Sequence, residues 1–138
     1  MLKQKRREAQ LSTSFKKYLQ HYNKYGNSAI EIKYCKGNRL NYKQNITSRI
    51  HQFAALDLAK NRRLVYKISD MDRMQKPFDM FVLENACAYY AINYNYPDDK
   101  TIYLIDVNRL SDEILLGNKK SLSIERAKEI AFDKIQIK

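Results

Sequence analysis

Cysteine is scarce in this chain of 138 residues, with two in all, Cys35 and Cys87. They stand far apart and match no zinc-ligand spacing, so a structural zinc site is not expected. They read as reduced thiols of an intracellular protein. Long apolar runs are missing too, and no segment reads as a membrane-spanning helix. No apolar signal core follows the basic run Met1–Arg7, so secretion is not expected. Cytoplasm, nucleoid, the cytoplasm of a phage-infected host and the inside of a virion all stay open as locations. Internal repeats, low-complexity segments and interdomain linkers are absent as well. The expectation is one domain over residues 1–138 with a real core, preceded by a basic arm at 1–7.

Acid is scarce in one half only. Residues 1–63 hold 15 Lys/Arg against 3 Asp/Glu, a balance of +12. Residues 64–138 hold 11 against 12, a balance of −1. The whole excess of the net +11 therefore lies in the first half. A field of that sign attracts a polyanion and raises its encounter rate, which points to nucleic acid. A basic surface serving solubility is the plain alternative. Hydrophobic residues at 44% and aromatics at 12% exclude a disordered composition. Lys, Asn, Ile and Tyr usage suits an AT-rich genome such as that of a phage.

Helical spacing of Leu11, Phe15, Tyr18, Leu19 and Tyr22 predicts a helix over 8–25, stopped at Gly26-Asn27. Glu8 falls one turn before Leu11 on that stripe. Residues 28–35 read as a β-branched strand, and 36–38 as a turn. A second helix is expected over 46–60, capped by Thr47 or Ser48, burying Ile50, Phe53, Ala54 and Leu58. Strands follow at 64–68, 78–83, 88–94 and 101–107. The loop 69–77 and the turns 84–86 and 95–100 separate them. A closing helix is expected over 123–134, with Ser123 as cap and Ile124, Ala127, Ile130 and Ala131 buried. The predicted class is α/β (α+β), in the order α-β-α-β-β-β-β-α.

The chemistry concentrates in Ala29-Ile30-Glu31-Ile32-Lys33. Alternation along a strand puts Glu31 and Lys33 on one face and the isoleucines on the other, toward a core. A carboxylate beside an ammonium can hold a divalent metal and offset charge on a phosphate. Oxygen ligands favour Mg²⁺ or Mn²⁺. A cross-strand ion pair is the simpler alternative. His51-Gln52 opens the second helix and is in reach of the same site. Gln52 would hold a water or phosphate oxygen, and His51 would shuttle a proton or contact phosphate. Backbone capping by both is the other reading.

Four ordered blocks carry a family likeness: Ala29–Lys33, His51–Leu56, Tyr66–Asp70 and Lys76–Asp79. Together they resemble the PD-(D/E)xK nucleases, and more narrowly the Holliday-junction-resolvase-like proteins of phages and bacteria. The resemblance covers about residues 8–107. It implies a restriction-endonuclease-like mixed sheet flanked by helices, Mg²⁺-dependent cleavage of phosphodiesters in branched DNA, and often a homodimer. Glu31 and Lys33 match the Glu-x-Lys pair, Gln52 the glutamine of the following helix, and Glu8 the acid of the first helix. Glu8 would otherwise complement its own helix dipole.

The chain departs from that family at one point. Residues 22–30 contain no acid, where the family places an Asp before the Glu-x-Lys. Asp79, fixed behind Pro77, and Asp70 are the candidates for a second metal-binding carboxylate. Asp79 could instead bond to its own loop. Lys36, Arg39, Lys43, Arg49 and His51 would contact phosphates, positioning nucleic acid without reading sequence. Tyr34 and Tyr42 would stack on unpaired bases or pack. Tyr89, Tyr90, Tyr94 and Tyr103 alternate as sheet packing or a dimer surface. A nuclease fold that only binds nucleic acid, and a structural or packaged accessory protein, are the rival readings.

Overall fold

Alternating and helical patterns both survive in the folded chain, with several elements added between them. The computed structural model describes residues 2–21, 26–67, 80–95 and 99–137, the side chains at 2–5, 7, 8, 20, 21 and 67 excepted. In order these are α1 (Leu2–His21), β1 (Ser28–Cys35), β2 (Arg39–Asn41), α2 (Tyr42–Asn45) and a 3-10 turn at Thr47–Arg49. Then come α3 (Ile50–Asn61), β3 (Arg63–Lys67), β4 (Met80–Glu84), β5 (Cys87–Tyr94) and β6 (Thr101–Asp106). Last are α4 (Val107–Leu116), β7 (Ser121–Ser123), α5 (Ile124–Ile130) and β8 (Asp133–Gln136).

The fold is mixed α+β. Its main sheet has the order β1-β5-β6-β8, with β1 parallel to β5 and the other pairs antiparallel. Two small antiparallel ribbons, β2-β7 and β3-β4, stand beside it. Helices cover both faces. On one, α1 lays Leu11, Phe15, Tyr18 and Leu19 against Ile30, Ile32, Tyr89, Ala91, Ile102, Leu104 and Ile135. On the other, Phe53 and Leu56 of α3, Leu110 of α4 and Ala127 and Ile130 of α5 meet Ala88, Tyr90, Ile92, Tyr94 and Ile105. Double cover explains why β5 is buried without a break from Ala88 to Tyr94. The four expected tyrosines, Tyr89, Tyr90, Tyr94 and Tyr103, are all buried packing residues of this sheet.

Several boundaries differ from expectation for physical reasons. The basic run at 2–7 is helical and opens α1. Ser48 does not cap the second helix, because its hydroxyl donates back to the Gln44 carbonyl at 2.6 Å. Asn41 instead caps the short α2, accepting from the Gln44 amide at 3.0 Å. The buried face of α3 is Phe53, Leu56 and Ala59, while Ile50 and Ala54 are exposed. Helix α4 was missed. Its signal is Asp106 at the cap, bonding to the Asn108 and Arg109 amides, with Val107 and Leu110 buried behind it. Lys60 of α3 also pairs with Asp106 and so ties the two helices.

The closing helix stops at Ile130, where Ala131 turns extended. The free edge of β6 then recruits β8 and buries Ile135, which outweighs one further helical turn. Ser123 caps α5 as expected, accepting from the Arg126 amide. Asn85, in the turn expected between β4 and β5, adopts the left-handed φ of 49. The expected loop 69–77 lies outside the described residues. No helix among the described residues is long and apolar enough to cross a membrane.

Candidate functional site

Strand β1 is an edge of the main sheet, so its side chains from both faces meet one open rim. Ile30 and Ile32 turn to the α1 side and pack there, as alternation requires. Glu31 and Lys33 turn to the other face, toward α3. A cleft of about 550 Å³ runs along this rim, lined by Ala9 and Ser12 of α1, Glu31 to Tyr34 of β1, and Gln44, Asn45, Arg49 and Gln52.

Lys33 is the hinge of the arrangement. It is 8% exposed, a rare degree of burial for an ammonium. Its Nζ donates to Gln52 Oε1 at 2.5 Å and lies 3.2 Å from Glu31 Oε1. A lysine has three donors and no acceptor, so the Gln52 amide must turn its oxygen inward. The Gln52 NH₂ is then left as a donor toward the cleft. Glu31 keeps about a quarter of its side chain in solvent, at 27%. Three groups that lie up to 21 positions apart in the chain therefore form one polar cluster on an otherwise apolar face.

The remaining expected residues divide. Arg49 is exposed and lines the cleft, and Lys36, Arg39 and Lys43 are exposed on neighbouring elements. Tyr34 is half-buried and lines the cleft. Tyr42 is corrected: at 5% exposure it is a core residue and offers no face to a base. His51 is exposed, and the helix turns it about 100° away from Gln52, outside the cleft lining. Glu8 lies on α1 one residue before the cleft-lining Ala9, with its side chain outside the described set. Asp70 and Asp79 lie outside the described residues.

Sequence reasoning missed Ser12, Gln44 and Asn45. Their signal is weak, because each reaches the cleft only through the packing of α1 and α2 around the β1 edge. It also left Tyr90 as ordinary packing. Tyr90 is in register with Glu31 on β5, fully buried, and its hydroxyl has no partner among the described residues.

Among its described lining residues the cleft holds one carboxylate, Glu31, and two cations, Lys33 and Arg49, beside the neutral polar Ser12, Tyr34, Gln44, Asn45 and Gln52, with no sulfur ligand. Among the described residues no three His, Cys, Asp or Glu side chains gather as a metal cluster. Comparison with protein-family models, with curated proteins and with solved structures finds no match.

Proposed function

We propose that the chain is a metal-dependent DNA endonuclease acting on branched DNA, with a restriction-endonuclease-like arrangement around Glu31, Lys33 and Gln52. The observation that carries this reading is the buried ammonium of Lys33, shared between a carboxylate and an amide at the floor of a cleft rimmed by Arg49. A structural ion pair has no need of a 550 Å³ opening above it, nor of a third polar partner.

The roles follow from the chemistry of each group. Phosphodiester hydrolysis adds a water oxygen to phosphorus and breaks one P–O ester bond. Negative charge grows on the phosphoryl oxygens as it proceeds. Lys33, largely withdrawn from water, would offset that charge more strongly than an exposed ammonium. The Gln52 NH₂ orients the phosphate or the attacking water. Glu31 would hold Mg²⁺ or Mn²⁺, with Asp79 or Asp70 as the second carboxylate and Glu8 as a further acid. The cation, when bound, polarises the phosphoryl oxygen and lowers the pKa of a bound water. Arg49, Lys36, Arg39 and Lys43 attach to flanking phosphates and leave sequence unread.

The exposed Val65, Tyr66, Phe81 and Val82 of the β3-β4 ribbon would pack against a second copy in a homodimer. The second reading is a binding protein of the same fold without catalysis. The single carboxylate among the described cleft residues favours it. Cleavage of a labelled four-way junction and a matching linear duplex, with and without Mg²⁺ or Mn²⁺, separates the two. Metal-dependent cutting that Glu31→Gln abolishes supports the nuclease, and the junction-to-duplex ratio reports its preference. Tight binding without cutting in either metal refutes it in favour of the binding protein.

A further inference from the structure

An edge strand presents a row of backbone N–H and C=O groups to whatever can pair with them. Strand β1 pairs with β5 along one side, and among the described residues no strand pairs with its other side. Two bonds at its ends tell which residues face outward. The Cys87 amide donates to the Asn27 carbonyl at 3.2 Å, and the Asn95 amide donates to the Cys35 carbonyl at 2.8 Å. Backbone groups alternate sides along a strand, and the register runs unbroken from Ser28 to Cys35. The odd-numbered residues therefore bond toward β5. Ile30 and Ile32 turn their N–H and C=O to the open rim, along which the cleft runs.

The side chains of this strand are complementary to themselves. Antiparallel pairing with β1 of a second copy, about a two-fold axis through Ile32, brings outward-facing residues together, as hydrogen bonding requires. The two Ile32 residues then exchange both bonds. The same register sets each Glu31 opposite Lys33 of the second copy, and each Ile30 opposite Tyr34 of the second copy on the other face. Opposite charges, and an aromatic ring against a β-branched side chain, are favourable cross-strand pairs. The neighbouring registers with the same bonding are unfavourable. A two-residue shift one way sets Glu31 against Glu31, and the other way sets Lys33 against Lys33.

We propose that β1 is a self-association edge. Two copies pair antiparallel through Ala29–Cys35 and extend the four-stranded sheet into one of eight strands. The occupant is a second copy because the charge order Glu-x-Lys, reversed, is its own complement. This edge is a different surface from the β3-β4 ribbon, and its pairing does not depend on the nuclease reading. A copy seated there covers Glu31 to Tyr34 and competes with any ligand of the cleft.

A crosslink specific to the register tests this. Ile32→Cys is made in the full chain together with Cys87→Ser, which removes the exposed thiol. Residues paired in this way have Cα atoms about 5.5 Å apart, within disulfide reach. Oxidised glutathione is expected to give a covalent dimer joined at position 32, identified by peptide mass mapping. Ile30→Cys in the same background sets its two thiols roughly 13 Å apart along the strands and stays unlinked. Sedimentation velocity reads the equilibrium without a crosslink. The wild type is expected to dimerise, and Glu31→Gln to do so roughly tenfold more weakly. Ile32→Pro, which removes an outward N–H and leaves the β5 ladder intact, is expected to be monomeric. The crosslink decides alone where Ile32→Pro fails to fold. A wild type that stays monomeric to its solubility limit, or linkage at 30 as ready as at 32, overturns the pairing. Self-association that survives in folded Ile32→Pro and is lost in Val82→Lys also overturns it, by assigning the contact to the ribbon.

Discussion

Replacing Lys33 by Met separates what the Glu31–Lys33–Gln52 cluster does for chemistry from what it does for the fold. Methionine keeps most of the apolar stem and removes the ammonium. The change strands Gln52 Oε1, which loses its 2.5 Å bond, and Glu31, which loses its counter-charge at 3.2 Å. Breaking a fully buried ion pair costs about 3–5 kcal/mol, and a hydrogen bond to a charged group contributes about 1.5–3 kcal/mol. Glu31 retains 27% of its side chain in solvent, so it recovers part of its hydration. The expected loss is therefore near the low end, about 2 kcal/mol.

For a domain of this size that is a fall of roughly 8 °C in Tm, at about 4 °C per kcal/mol. Adding Glu31→Gln to Lys33→Met removes the stranded charge. The double variant is expected to regain at least half of the loss, because a pair replaced on both sides leaves no unpaired charge. Cleavage behaves in the opposite way. Loss of one preorganised cation lowers the rate about 10²–10³-fold, and the second substitution restores none of it. Thermal unfolding and single-turnover cleavage of the four proteins in the cycle check both halves. A Lys33→Met variant that cuts at the wild-type rate refutes the chemical role. A double variant no more stable than Lys33→Met refutes the coupling.

Arg49→Ala should weaken binding to all DNA structures alike and reduce the slope of log K against log salt by about 1, as expected for one lost phosphate contact. A salt titration of fluorescence anisotropy on junction and duplex reads this, and an unchanged slope removes Arg49 from the interface. Between α4 and α5, Arg126 bonds Glu113 through two nitrogens, at 3.0 and 2.5 Å. Those bonds hold the Glu113 carboxyl below its ordinary value, against its own burial. A depressed carboxyl stabilises the fold above its unfolded pKa and loses that contribution as pH falls through the folded one. Glu113→Gln should therefore lower Tm at pH 7 and differ little from wild type at pH 2–3. An equal loss at both pH values refutes the ionic origin.

Much of the local structure was legible in the sequence because it rests on neighbouring residues. The alternation of 28–35 yields β1 with its expected ends, and the stripe Leu11, Phe15, Tyr18, Leu19 marks the buried face of α1. Ser123 and Asn85 act through short-range bonds and backbone preferences that any context preserves. Alternation alone also places Glu31 and Lys33 on one face, opposite Ile30 and Ile32. What lay beyond sequence reasoning depends on which element meets which. The closing helix gives way to β8 because β6 offers an unpaired edge. The buried side of α3 is Phe53, Leu56 and Ala59, the residues that meet the sheet, and which side meets the sheet is set by packing. Only the parallel seating of β5 beside β1 sets Tyr90 against Glu31, and only the crossing of α3 over that sheet lets Gln52 reach Lys33. Periodicity assigns a residue to a face, whereas a site needs faces from distant segments to be pressed together, and that is decided by packing.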